Sequence, residues 1–456
     1  MGAEREVMTL EQAGVQVIDC LHKTPPAQEE GLPYVGVPQI ADGRIDLEQA
    51  RKISEKDFEL WTQKADPEPN DVVLSRRCNP GVTAHVPPGK NFAVGQNLVL
   101  LRSDRRKIFP PFLQWLTRSE YWWREISKYE NVGAVFNSLR IADIPKFQLP
   151  VPPVGIQRLI DNILGPLNEK IELNRHINQL LEQMAQTLFK SWFIDFDPVV
   201  YKAVQAGNPV PEQFAETAAR HRKNPDAAPV SKDILDLFPD RFEESALGPI
   251  PAGWHCGPLD KIAHFLNGLP CQKFPPSENQ PSLPVIKIRE LRNGLSASTD
   301  RVNTEIPEKY IVEDGDVLFS WSGSLLIDAW TQGRSVLNQH VFKVTSEVYP
   351  KWFYYYWTLH HLDGFSRIAA DKATTMGHIK RHHLTEAMVV VPDSGVIEAA
   401  NKQMAPLFDR EVQGQVESRK LGCMRDALLP KLISGELRVP EVGNMAADGN
   451  EAMAEV

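Results

Sequence analysis

The stretch Ile156 to Phe193, IQRLIDNILGPLNEKIELNRHINQLLEQMAQTLFKSWF, places Ile160, Leu167, Asn174, Leu181 and Leu188 seven residues apart. Ile163, Ile177 and Met184 fill much of the companion position, so the spacing predicts a long helix with a narrow apolar seam that packs on another long helix. At 1.5 Å per residue this helix is about 60 Å long, more than one compact domain needs. Its partner is legible further on: Leu164, Pro166, Leu167, Leu181 and Leu188 recur as Met404, Pro406, Leu407, Leu421 and Leu428 in a second helical pattern, from about Val396 to Ile433. The second pattern is poorer. Gly414 and Gly422 interrupt it, and Glu411, Glu417 and Arg425 stand where the first has Ile171, Ile177 and Ala185. Asn174 on the seam has two readings: a buried amide that fixes register, or a helix rotated enough to expose it.

Outward from the helices the echo continues. Leu32-Pro33 and Gly43 recur as Leu283-Pro284 and Gly294, Asp71-Val-Val-Leu-Ser75 as Asp316-Val-Leu-Phe-Ser320, and Ile144 and Pro152 as Leu384 and Pro392. The offset drifts from about 250 to about 240 residues, as loops of unequal length require. Short strand patterns broken by Pro and Gly precede each long helix, which predicts an α+β fold: two repeated domains and two long antiparallel coiled-coil helices. The segments expected are a first block at 1–155, the first helix at 156–197, a linker at 198–245, a second block at 246–392, the second helix at 393–436 and a short acidic, disordered tail at 437–456. Within the linker, the Ala-, Pro- and charge-rich run to about Ala228 reads as surface chain. Tyr121-Trp-Trp123 and the aromatic run Trp352 to Trp357 have apolar neighbours on both sides, which favours buried helix over base stacking.

A chain of 456 residues supports two such domains, and its net charge of -9 argues against indiscriminate coating of nucleic acid. The N-terminal residues show no basic and apolar leader pattern, and no apolar stretch approaches a membrane span, so a cytoplasmic protein that engages no membrane is expected. Cys20, Cys78, Cys256, Cys271 and Cys423 are scattered and odd in number, which reads as reduced, packed thiols without disulfide or zinc site. Catalytic signatures are missing: there is no phosphate cradle ending in Gly-Lys-Ser or Gly-Lys-Thr, no dinucleotide fingerprint and no nucleophile elbow. The pair Glu243-Glu244 after Pro239-Asp240 lacks the lysine of a nuclease site and reads as a cap or turn. His378, His382 and His383 have helical spacing that suits a metal, but nothing completes the set, so contact with phosphate or base, or a plain solvated polar face, is favoured over a metal.

Binding chemistry remains. Ser366 to Thr385 carries Arg367, Lys372, Lys380 and Arg381 against Asp371 alone, with the three histidines and Thr374-Thr375 among them. Arg76, Arg77, Lys90 and the run Arg102 to Lys107 form a sparser version in the first half, where Asn137, Ser138 and Arg140 take the place of Met376 to Lys380. Such residues supply point charges for phosphates and polar forks for base edges.

At this point the chain resembles the specificity subunits of type I restriction-modification enzymes. The resemblance rests on Glu169-Lys-Ile-Glu-Leu-Asn174, on Leu188-Phe-Lys-Ser-Trp-Phe-Ile-Asp195, on Phe238 to Trp254, and on Gly315 to Gly323 with Leu337-Asn-Gln-His340. It implies two target-recognition domains separated by the antiparallel helices, each reading one half of a bipartite site in double-stranded DNA. Trp321, Ser322 and Gln339 of the signature, with Arg334 between its two parts, join the candidate DNA contacts. The helices are implied to dock two methyltransferase subunits, through Asn174, Leu181, Leu188, Phe189, Trp192 and Phe193, in a complex with restriction and translocase subunits. The chain itself is then no enzyme and holds no cofactor; S-adenosylmethionine, ATP and Mg belong to the partners. The alternative is a helical scaffold whose α+β blocks grip protein rather than DNA, in keeping with the acidic net charge.

Overall fold

The computed structural model describes residues 6–133, 137–278, 280–371 and 377–437. The chain forms two compact units, one made of residues up to Glu169 with those from Leu421 on, the other of Lys170–Lys420. The division falls inside both long helices rather than at the ends of the strand-rich blocks.

In the first unit the Asp71 to Ser75 repeat becomes the strand Val72–Ser75, buried at every position. Its antiparallel sheet runs Val15–Asp19, Leu98–Ser103, Val72–Ser75, Thr83–His85. Both faces are covered. Val72, Leu74, Val99 and Leu101 pack with Trp115, Trp122 and the helix residues Ile160, Leu164, Leu429, Leu432 and Ile433. Val73, Leu98 and Leu100 face the other way, onto Val35, Phe92 and Val94. Alternate residues of a strand point to opposite faces, so a doubly covered sheet requires the unbroken apolar runs seen here. A second sheet orders Arg51–Ile53, Leu32–Val35, Ala93–Val94, its last pair parallel, and Glu6–Thr9 pairs with Gln148–Val151.

The second unit repeats this connectivity. Its four-stranded sheet runs His264–Asn267, Val341–Thr345, Val317–Ser320, Leu326–Ala329. A parallel pair, Ser282–Ile286 with Ser335–Leu337, again lies in the second sheet, and His255–Pro258 pairs with Met388–Val391. The repeated aspartate does the same work in both units. Asp71 accepts the Glu68 N–H at 2.8 Å and binds Arg102; Asp316 accepts the Glu313 N–H at 2.8 Å and binds Lys343. The aromatic run lies on the helix Lys351–Asp371 with Trp352 to Trp357 all buried, as its apolar neighbours require. In the first unit Trp122 is buried, but Trp123 is 43% exposed.

The first long helix spans Val154–Phe189 and ends in a π-turn at Lys190–Ile194; the second spans Ser394–Ser434. Their pairing is antiparallel within each unit, and polar groups hold much of it. In the first, the Arg425 guanidinium donates to Asn168 Oδ1 at 3.1 Å. In the second, Asn174 is buried and donates through Nδ2 to Glu417 Oε2 at 2.8 Å and to Gly414 O at 3.4 Å, which settles its two readings in favour of burial. Two of the three charged residues that weaken the second apolar pattern, Glu417 and Arg425, are thus partners of asparagines on the first.

The run expected as a surface linker folds instead. Phe196 takes the left-handed conformation, φ 50°, and is followed by helices at Asp197–Ala206, Ala215–Lys223 and Lys232–Leu235. Val199, Val200, Ala203, Phe214, Ala218 and Phe238 are buried in the second unit's core. Apolar residues at helical spacing, diluted by Ala and Pro, give this segment its buried face. The tail expected as disordered lies, from residue 438 on, outside the described residues. All five cysteines are free, yet Cys78 and Cys423 are exposed rather than packed.

Candidate nucleic-acid interface

Each unit joins the end of its repeated strand to the segment before its final strand. In the second unit Ser322 bridges His378, the Gly323 N–H donates to Gly377 O at 2.8 Å, and the Ile379 N–H donates to Trp321 O at 3.0 Å. In the first, Arg77 bridges Ser138 and the Leu139 N–H donates to Arg76 O at 2.8 Å. The structure therefore assembles Arg76, Arg77, Asn137, Ser138 and Arg140 in one unit, and Trp321, Ser322, His378, Lys380 and Arg381 in the other.

Around Trp321 the side chains interlock. Its indole N–H donates to Asn267 Oδ1 at 3.1 Å, and its ring lies 5.7 Å from His340, 5.9 Å from Phe342 and 6.3 Å from His378. Ser322 Oγ sits 3.3 Å from His340 Nδ1, and Gln339 Nε2 lies 3.4 Å from His340 Nε2. Arg381 donates to Phe265 O at 3.3 Å and lies over the Phe342 ring. Asn267 and His340 complete this cluster. His340 belongs to the Leu337 to His340 signature, whereas only the fold brings Asn267 beside Trp321.

In the first unit Arg76 is only 8% exposed, so its guanidinium is not an outward fork. It donates to His22 Nδ1 at 3.2 Å, and His22 Nε2 in turn holds Asp19 Oδ2 at 2.9 Å. Asp19, Cys20 and His22 have ligand atoms within 4.8 Å of one another. Both His22 nitrogens are engaged, and burial pushes the Cys20 thiol up to about 11, so the group is a hydrogen-bonded support for Arg76 rather than a ready metal site. Asn137 Nδ2 donates to Glu130 Oε1 at 2.9 Å, while Arg77 and Arg140 are exposed. Lys90 is exposed in the turn after Thr83–His85.

Other expectations need correction. Arg334 lies on Glu308 and Glu313, and Arg102 is bound by Asp71 and Glu68, so carboxylates meet both guanidiniums. His378 is in extended chain against Ser322, not on a helix with His382 and His383; these two group instead with Glu386. The Lys380 N–H donates to His383 Nδ1 at 3.0 Å. Lys372, Thr374 and Thr375 lie outside the described residues. Of the expected docking residues, Phe189, Trp192 and Phe193 are buried in the second unit's core, where Phe193 packs on Trp352 and Trp192 on Phe238. Asn174 is buried as well, and Leu181 and Leu188 are half-buried. A different stripe of the same helix is open: Leu173, Leu180 and Met184 are each more than half exposed. Their spacing of seven and four puts them on one face.

Two units of one connectivity, each with a strand end stitched to a distal segment, define a duplicated α+β protein whose repeats share two long helices. The model of the type I restriction modification DNA specificity domain matches residues 18–183. The chain is 24% identical over 382 residues to the type I restriction enzyme HindI specificity subunit of Haemophilus influenzae, covering 76% of this chain and 82% of that one. It is 25% identical over 378 residues to the MjaIX specificity subunit of Methanocaldococcus jannaschii, covering 79% and 78%. The fold is similar to the crystal structure of a type I restriction-modification S subunit from M. genitalium, with a TM-score of 0.52 at 15% identity, over 94% of this chain and 96% of that one. Residues 18–183 thus match the DNA specificity domain, and most of the chain is similar to specificity subunits of type I restriction-modification enzymes. No helix among the described residues is long and apolar enough to cross a membrane.

Proposed function

We propose that this chain selects a bipartite sequence in double-stranded DNA, each α+β block reading one half, and that it docks two methyltransferase subunits and the restriction and translocase subunits of its complex. The blocks at 1–155 and 246–392 are the readers in this proposal. The observation that carries it is the matched pair of stitched strand ends, Arg76–Arg77 on Ser138–Leu139 and Trp321–Ser322 on His378–Ile379. Duplicated surfaces of one architecture with different side chains suit two half-sites of different sequence. Leu173, Leu180 and Met184 are the apolar face offered to a methyltransferase subunit, because a soluble helix seldom leaves three large apolar residues together in water. S-adenosylmethionine, ATP and Mg are assigned to the partner subunits, and no chemical step to this chain.

The test exchanges residues 246–392 for the matching block of a related subunit and maps methylated sites in host DNA. One half of the recognised sequence should change and the other persist. Change in both halves, or no methylation that depends on this chain, would refute the reading and leave the protein-gripping scaffold in its place.

A further inference from the structure

We infer that Trp321 is an aromatic wedge with which the second unit stacks against an opened base step in its half-site. The inference rests on the DNA-reading function proposed above and specifies how one half of the target is sensed.

Trp321 occupies in the second unit the place that Arg76 has in the first, since Ile379 and Leu139 make the same backbone bond to them. Their supports also correspond. Asn267 pairs with Phe342 and Asp19 with Val99 at matching positions of the two sheets. Asn267 holds the Trp321 N–H directly, whereas Asp19 holds His22 against Arg76. The outcome differs in one respect: Arg76 is buried, while Trp321 is only half-buried.

An indole N–H turned into the protein needs an acceptor there, because water cannot serve it. Here Asn267 already provides one, so the open part of the ring has no polar requirement and is suited to stacking. The ring is also held in place. Phe342 and His340 pack against it, His378 meets it edge-on, and His340 is itself fixed by Ser322 and Gln339. A ring fixed before binding loses little rotamer freedom on contact. Lys380 and Arg381, both exposed, follow His378 closely and supply positive charge for the phosphates flanking a stacked base. An apolar ring with a cationic margin has the composition of a base-stacking contact, and wedges of this kind unstack and kink the step they enter.

The experiment uses the complex reconstituted with its methyltransferase subunits and the duplex target found by methylome mapping, with 2-aminopurine placed in turn in each half-site. Trp321→Ala, Trp321→Leu and Trp321→Phe are compared with wild type across a salt series. Trp321→Leu keeps apolar packing on Phe342 without a π face, so it separates stacking from folding. Trp321→Ala and Trp321→Leu should weaken binding by about 10- to 100-fold, the range expected for one stacked base, with the salt slope unchanged. Trp321→Phe should retain most of the affinity. The 2-aminopurine signal at one step of the second half-site should change with wild type and Trp321→Phe only. Wild-type affinity and signal in Trp321→Leu would overturn the wedge, as would a salt slope reduced by about one unit, which marks a phosphate contact. Wild type that shows no sequence-selective binding would overturn the DNA-reading function along with it.

Discussion

Replacing Glu411 by Gln should make the second unit more stable at alkaline pH and leave it nearly unchanged at pH 5. Glu411 lies half-buried on the second long helix, where burial, then the carboxylates of Glu182 and Asp328, push its pKa up from 4.5 to about 8. Burial and Glu182 also raise Asp328, to about 6. The sign follows from proton counting. Between 4.5 and about 8 the folded state keeps a proton that the unfolded state has released, so stability is fully present below 4.5 and is lost as pH rises through about 8. At 1.36 kcal/mol per pH unit that interval corresponds to at most about 5 kcal/mol. Glu411 retains some contact with water, which screens it, and roughly 2 kcal/mol is the working figure. Gln415 Nε2 donates to Glu411 Oε1 at 3.3 Å, a bond that glutamine at 411 can still accept. Glu411→Gln should therefore raise the melting temperature at pH 8.5 by about 4 to 8 °C in a unit of this size. The assay is thermal unfolding of the full chain followed by near-ultraviolet circular dichroism, from pH 5 to 8.5, for wild type and variant. Parallel melting curves across that range, with no pH dependence in their difference, would refute the account of the carboxylate seam.

Gly414→Ala should forfeit the roughly 1 kcal/mol that alanine normally gains over glycine inside a helix, because its Cβ would stand 2.5 Å from Asn178 Oδ1 and must displace that side chain. Asn178→Ala should restore most of that gain, which a double-mutant cycle in urea would measure. Trp192→Ala should cost about 3 to 5 kcal/mol as a core truncation, seen as a lowered denaturation midpoint. Leu180→Glu, at a side chain 59% exposed, should change stability by less than about 0.5 kcal/mol yet reduce co-purification of the methyltransferase subunit. Lys380→Ala should lower the salt slope of DNA binding by about one unit if its exposed ammonium touches phosphate, and unchanged slope and affinity would place that residue off the DNA.

The sequence by itself determined the elements and their duplication. The strands Val72–Ser75 and Val317–Ser320, the buried aromatic helix and the two long helices all follow from local apolar spacing, which depends on few neighbours. The sequence also marked Trp321, Ser322, Gln339 and the segment around Ser138 as candidate contacts, without saying which of them lie together. Tertiary structure decided which of these side chains remain available. Arg102 and Arg334 look like free cations in sequence, but folding brings Asp71 and Glu308 to them from 31 and 26 residues away. Trp192 and Phe193 continue an apolar helical seam, and nothing local says whether a partner subunit or the second unit's own core covers them; the fold supplies Phe238 and Trp352. The segment after Asp197 has too little apolar residue to announce its buried face, which exists only because Phe196 turns the chain back onto the core. Periodicity records where apolar side chains lie on one element. Burial and charge pairing depend on a second element, which reaches the first only when the chain has folded.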